Sequence, residues 1–219
     1  MAILIDIVYA VFLLAAGSIA VCVYFQPERK FSTEALKITK YKALYLASGL
    51  VACFAVIIML NAVYQSDLIH RMKLLSLVLV ILPIAAVDYR KHIMPNMFIL
   101  AGLIIRICIF IVEFFVSIDQ AWITLKDCLL GAAVIGLFFL IILLVFKNSI
   151  GMGDVKLFAL MGLYQGLWGA VNSVFFSLVV TFILSIFLLI TKKKKRKDLI
   201  AFGPCILLGT VLAVCLAGI

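Results

Sequence analysis

The sequence predicts an all-α, polytopic integral membrane protein with about eight apolar helical segments, two of them short. Three observations lead there. First, the 219 residues are 67% hydrophobic and 13% charged, with a mean hydropathy of +1.32. A soluble domain carries about 45–50% apolar and about 25% charged residues, so one water-soluble core cannot bury the excess. Second, the apolar runs are continuous rather than alternating. That excludes a β-barrel and leaves helices, which satisfy their backbone polar groups within the segment. Third, the basic residues gather in short gaps between the runs, where they set membrane orientation.

The segments read 3–25, 43–64, 74–87, 96–116, 128–146, 155–165, 167–190 and 200–218. About 20 residues cross a bilayer; five segments meet that length and the last nearly does. The first has no basic n-region and carries Asp6 near its start, so it reads as a retained helix rather than a signal peptide. The third is short and contains Pro83, expected to kink it. The fourth holds Arg106, with Glu113 seven positions on and therefore on the same face; a structural pairing is expected. The sixth is too short to span. Short helices at membrane depth are tolerated where they line a wet cavity, and both short segments adjoin an aspartate. Gly162 and Gly166 form a small-xxx-small pair suited to close helix packing.

Loops 26–42, 88–95, 147–156 and 191–198 hold 15 Lys and Arg residues, against 3 in loops 65–73 and 117–127. The first set is therefore expected in the cytoplasm, with both chain termini outside. The net charge of +9 follows from this topology and does not imply nucleic-acid binding. The run from Lys192 to Lys197 reads as an anchor on anionic lipid headgroups. Loop 26–42 shows no sign of an independent domain. Cys22, Cys53, Cys108, Cys128, Cys205 and Cys215 form no Cys-x-x-Cys pair, and His70 and His92 fall in polar loops without ligand spacing. No metal and no cofactor are expected.

The chemistry is expected at two acids. Asp88 closes the third segment, in Val87-Asp88-Tyr89-Arg90-Lys91-His92-Ile93-Met94-Pro95-Asn96; Pro95 is placed to start the next helix. Asp154 ends the turn Gly151-Met152-Gly153-Asp154. Gly151 and Gly153 permit unusual torsions and close backbone approach, and the helix starting there favours a carboxylate at its N-terminus. An acid at the edge of hydrocarbon costs about 2.5–3.5 kcal/mol. Two in like settings suggest a shared task, and paired carboxylates sharing a proton are the working part of aspartic proteases. Lys156 is either a snorkelling anchor or a support for the pair; Arg90 and Lys91 read as topology residues.

Asp88, six residues, then Pro95-Asn96, followed by Gly151-x-Gly153-Asp154-Val155-Lys156-Leu157-x-Ala159, resembles the type IV prepilin peptidase family of membrane aspartic proteases. Ala201-Phe202-Gly203-Pro204 resembles the Phe-Gly-Pro segment of its last helix. The resemblance covers residues 74–219, which are expected to form the peptidase core, with 1–73 supplying N-terminal membrane helices. It implies Asp88 and Asp154 as the catalytic dyad, with Gly151, Gly153, Lys156, Pro95 and Asn96 in support. It further implies prepilin or pseudopilin substrates, cut at the cytoplasmic face of a bacterial inner membrane. Many members carry two Cys-x-x-Cys pairs after the first helix and also N-methylate the product. Loop 26–42 has no cysteine, so peptidase activity is expected without that zinc-bearing element, and methyl transfer lacks its support. Met94 stands where the family more often has isoleucine. Two alternatives remain at this stage. A presenilin-like or signal-peptide-peptidase-like intramembrane protease shares Gly-x-Gly-Asp, but the Tyr-Asp and Pro-Ala-Leu motifs are missing. A proton-coupled transporter would use the acids as carriers, but both acids lie at an edge and no inverted repeat is evident.

Overall fold

The computed structural model describes residues 2–25, 40–146, 150–191 and 201–218. Most of loop 26–42, Lys147 and the basic run Lys192 to Lys197 lie outside the described residues. Seven α-helices are present among the described residues: α1 (Ala2–Phe25), α2 (Lys40–Ile58), α3 (Leu68–Lys91), α4 (Asn96–Val116), α5 (Ile118–Val145), α6 (Met152–Ile190) and α7 (Gly203–Ala217). A π-helical turn, Met59–Val63, extends α2. Six helices are long and apolar enough to cross a membrane, and α7 is shorter. The chain is a multi-pass membrane protein.

α3 is the axis of the bundle. Every residue from Leu74 to Ala85 is buried, as expected of a helix that is apolar all round. α1, α2, α4, α6 and α7 all pack on it. The apolar run 74–87 understates this helix by a turn or more at its start, and the short third span expected from sequence is a full 24-residue helix. The cause is tertiary. His70, Arg71 and Lys73 interrupt the hydropathy, yet Arg71 Nε lies 2.9 Å from the buried Asp6 of α1 and His70 Nε2 lies 3.2 Å from Gly218 O. Asn61, on the π turn, donates to the same Asp6 carboxylate at 2.9 Å. His70 is thus helical rather than in a loop, and α3 runs unbroken through Pro83.

α6 is broken at Gly166, whose φ of 72° and ψ of −171° are not helical; that region is essentially restricted to glycine. The chain turns back at this point. Residues 152–165 run antiparallel to α5, with Phe158 on Phe139 and Gly162 against Gly131 and Ala132. Ser177, beyond the break, meets Ile206 and Gly209 near the start of α7, and α7 itself begins beside Asp88. A straight α6 would leave Ile190 about 54 Å from Asp154 at 1.5 Å per residue. The ten steps from Thr191 to Ala201 reach at most about 35 Å. Segments 155–165 and 167–190 of the sequence are therefore two arms of one helical hairpin, and both of its ends return to the Asp88 end of the bundle.

α5 and α6 approach closely because glycines face each other. A Cβ on Gly162 would meet Ala132 N and Gly131 C at 2.5 Å, whereas one on Gly136 would meet the Ala159 methyl at 3.2 Å. Gly162→Ala should accordingly cost about 1–3 kcal/mol and lower the Tm of detergent-solubilised protein, while Gly136→Ala should shift it less.

Candidate active site

Four helix ends meet at one end of the bundle. Asp88 lies one turn inside the end of α3, 6% exposed. Its Oδ2 accepts a 2.6 Å hydrogen bond from Gly203 N at the start of α7. No side chain fits at Gly203: a Cβ would stand 2.9 Å from Asp88 Cβ and 3.0 Å from Asp88 Oδ2. The positive end of the α7 dipole faces the carboxylate. α3 then stops at His92, which adopts the left-handed conformation (φ 50°) and donates its N–H to Asp88 O at 2.9 Å, as a chain leaving a helix commonly does. Pro95 is the extended residue before α4, so the turn is brief and Asn96 opens the next helix.

Asp154 is partly buried in the first turn of α6. Its Oδ2 accepts from Gly151 N at 3.1 Å, the reach-back bond of a capping box. The Gly151 backbone is extended (φ −76°), and Gly151 and Gly153 are not among the positive-φ glycines. Gly153 is needed for space rather than unusual torsion. A Cβ on Gly153 would sit 2.7 Å from Met94 Cβ, so α6 abuts the Met94-Pro95 turn directly. Close approach, expected from sequence, is the part that holds.

These contacts put both acids at the same end of the bundle, Asp88 against the start of α7 and Asp154 in the turn that abuts Met94. Pro95, Gly151 and Gly153 shape the turns beside them. Asn96 and Lys156, 60 positions apart, are joined by a 3.1 Å bond from Lys156 Nζ to Asn96 Oδ1. The floor is aromatic. Phe158 stacks on Phe139 at 4.2 Å between ring centroids and meets Phe202 edge-on at 5.7 Å. Tyr24, near the end of α1, lies under Lys91 Nζ at 4.5 Å and beside Phe98 at 6.0 Å. Sequence reasoning noted Phe202-Gly203 only as a resemblance; that Gly203 N binds Asp88 was not foreseen. The signal was present in a glycine directly before a helix-starting proline, where a bare N–H is presented.

The chain is thus a multi-pass helical bundle with a carboxylate from α3 and one from α6 at the same end. Residues 74–190 match the type IV leader peptidase family, and the chain belongs to that family. It is 28% identical over 135 residues to a prepilin leader peptidase/N-methyltransferase of Bacillus subtilis (strain 168), covering 59% of this chain and 50% of that protein. It is 27% identical over 151 residues to one of Pseudomonas putida, covering 67% of this chain and 50% of that protein. The chain thus spans about half the length of the curated relatives it matches. No solved structure matches it.

The Lys156–Asn96 bond pins α6 to α4. A double-mutant cycle of Lys156→Met and Asn96→Ala, read in unfolding of the solubilised protein, should return a coupling of roughly 0.5–1 kcal/mol, as for an exposed charged hydrogen bond.

Proposed function

We propose that this protein is a membrane-embedded aspartic endopeptidase that removes the short basic leader of prepilin-like proteins. The observation that carries the reading is the placement of Asp88 and Asp154 at one end of the bundle, Asp88 under Gly203 N at the start of α7 and Asp154 in the first turn of α6, which abuts the Met94-Pro95 turn. Family membership supports the reaction class, and similarity to prepilin leader peptidases supports the substrate.

In this mechanism two close carboxylates do not both ionise readily, so one keeps its proton. The ionised acid takes a proton from water as that water attacks the scissile carbonyl carbon. The protonated acid donates to the carbonyl oxygen. Collapse of the tetrahedral intermediate breaks the C–N bond, and the leaving amine takes up a proton. The pair titrates as a unit, and neither acid is assigned one role. Gly151, Gly153, Pro95 and Asn96 hold the two turns that present the acids, and Lys156 links them. Residues 74–219 form the peptidase core in this reading; the 73/74 boundary falls inside α3, on which α1 and α2 pack.

The Asp88 end is placed at the cytoplasmic face of a bacterial inner membrane, with both termini outside and the basic loops on anionic headgroups. The excess of basic residues in loops at that end supports this orientation. Prepilins and pseudopilins present a basic leader followed by an apolar helix, which this face would meet directly. The product is proposed to leave unmethylated, because loop 26–42 has no cysteine for a zinc-bearing element.

Solubilised protein incubated with a prepilin peptide should yield two fragments without any ion gradient; a transporter would yield none. Asp88→Asn and Asp154→Asn should each abolish cleavage while helical circular dichroism and membrane insertion stay unchanged. Normal processing by either variant would end the dyad reading. Mass spectrometry of the mature product, from a host lacking another methyltransferase, should show a free N-terminal amine; a methylated terminus would refute that part.

A further inference from the structure

A second polar cluster lies in the other half of the bundle, around the turn at Gly166, and the proposed peptidase reaction does not use it. Arg106 is the largest fully buried side chain among the described residues, 1% exposed. Its Nε donates to Leu163 O at 2.8 Å, and its two Nη atoms reach the Glu113 carboxylate at 3.2 and 3.3 Å. Nη2 also lies 3.6 Å from Cys128 Sγ, and the guanidinium stands 3.5 Å over the Phe110 ring. Asp127 of α5 faces the same turn from the other side. It accepts from Leu167 N at 3.4 Å and fills the space a Cβ on Gly166 would need. Tyr164 Oη donates to Gly102 O at 2.7 Å. Lys73 of α3, also buried, lies near the same cluster.

We propose that Arg106 and Asp127 are positioning residues: they clamp the Leu163–Leu167 turn and thereby aim the arm 152–165, which carries Asp154 at its far end. The inference rests on the peptidase reading for its functional consequence but not for its geometry. A break in a membrane helix frees backbone groups that need partners, and these two side chains take the Leu163 carbonyl, three residues before Gly166, and the Leu167 N–H directly after it, which would bond each other in an unbroken helix. Glu113 neutralises Arg106 so that the guanidinium can be spent on Leu163. The lever is long. Asp154 lies about 18 Å along the arm from Gly166, so a tilt of about 10° at the turn moves it by about 3 Å. A misplacement of about 1 Å can cost about a hundred-fold in rate.

The test uses the full chain with spin labels at Val8→Cys on α1 and Met152→Cys on α6, both exposed (62% and 50%), reactive native cysteines being replaced by Ser. Two clamp variants and one conservative control are compared with the parent. Arg106→Met/Glu113→Leu removes both charges together, leaving no unpaired ion. Asp127→Ala removes an acceptor at an exposed position, and Asp127→Asn restores one. The first two should broaden or shift the pulsed electron-spin distance distribution, and Asp127→Asn should keep it. With a prepilin peptide, the first two should lower kcat by about ten-fold or more, leaving KM within about two-fold. Unchanged distances in the first two, or equal loss in Asp127→Ala and Asp127→Asn, overturn the clamp. If the parent protein cleaves nothing while the distances change as stated, the peptidase reading falls and the clamp stands.

Discussion

The hydrogen bond from Gly203 N to the Asp88 carboxylate ties the most deeply buried helix to the last one, and the rest of the site is arranged around it. A carboxylate in this position has few donors available, because its own helix has already used its backbone. The start of another helix supplies an unspent N–H and the favourable end of a dipole. For that donor to reach 2.6 Å, α7 must begin with a residue that has no side chain. Asp88 is thus held by the frame of the bundle, on a helix packed from all sides. Asp154 is held differently, at the tip of an arm fixed by Asn96 and Met94 at one end and by Arg106 and Asp127 at the other.

The same constraint governs the charged groups deeper in the bundle. Asp6 with Arg71, and Arg106 with Glu113, are paired where water is scarce. Breaking such a pair leaves an uncompensated ion and costs about 3–5 kcal/mol, whereas removing both partners together can cost little. These pairs are therefore weak sources of stability but strict guides to register. Arg71 can meet Asp6 only if α1 and α3 are correctly aligned. Arg106 can reach Leu163 O only if α4 faces the turn of α6.

Much of this was legible in the sequence. Continuous apolar runs gave the helices, whereas Gly166, read with Gly162 as a helix-packing pair, is instead the break at which the chain turns back. Asp88 and Asp154 stood out as acids at the ends of apolar runs, and Arg106 with Glu113 as a same-face pair. What hydropathy could not show was any feature decided by a distant partner. The first turns of α3 looked like a loop because His70, Arg71 and Lys73 are polar, yet Gly218 and Asp6 make a helix tolerable there. Gly151 and Gly153 suggested unusual torsions, but Gly153 makes room for Met94, a residue nearly 60 positions away that no local pattern names. The Gly203 donor was hidden for the same cause.

The turn at Gly166 also bears on how the polypeptide enters its bilayer. Residues 152–165 extend about 21 Å, short of the roughly 30 Å of hydrocarbon, so this arm is a poor stop or start signal for a translocation channel. It gains a stable place only once α4 and α5 are already inserted and offer Arg106 and Asp127 to its far end. The arm bearing Asp154 therefore depends for its place on helices that precede it in the chain.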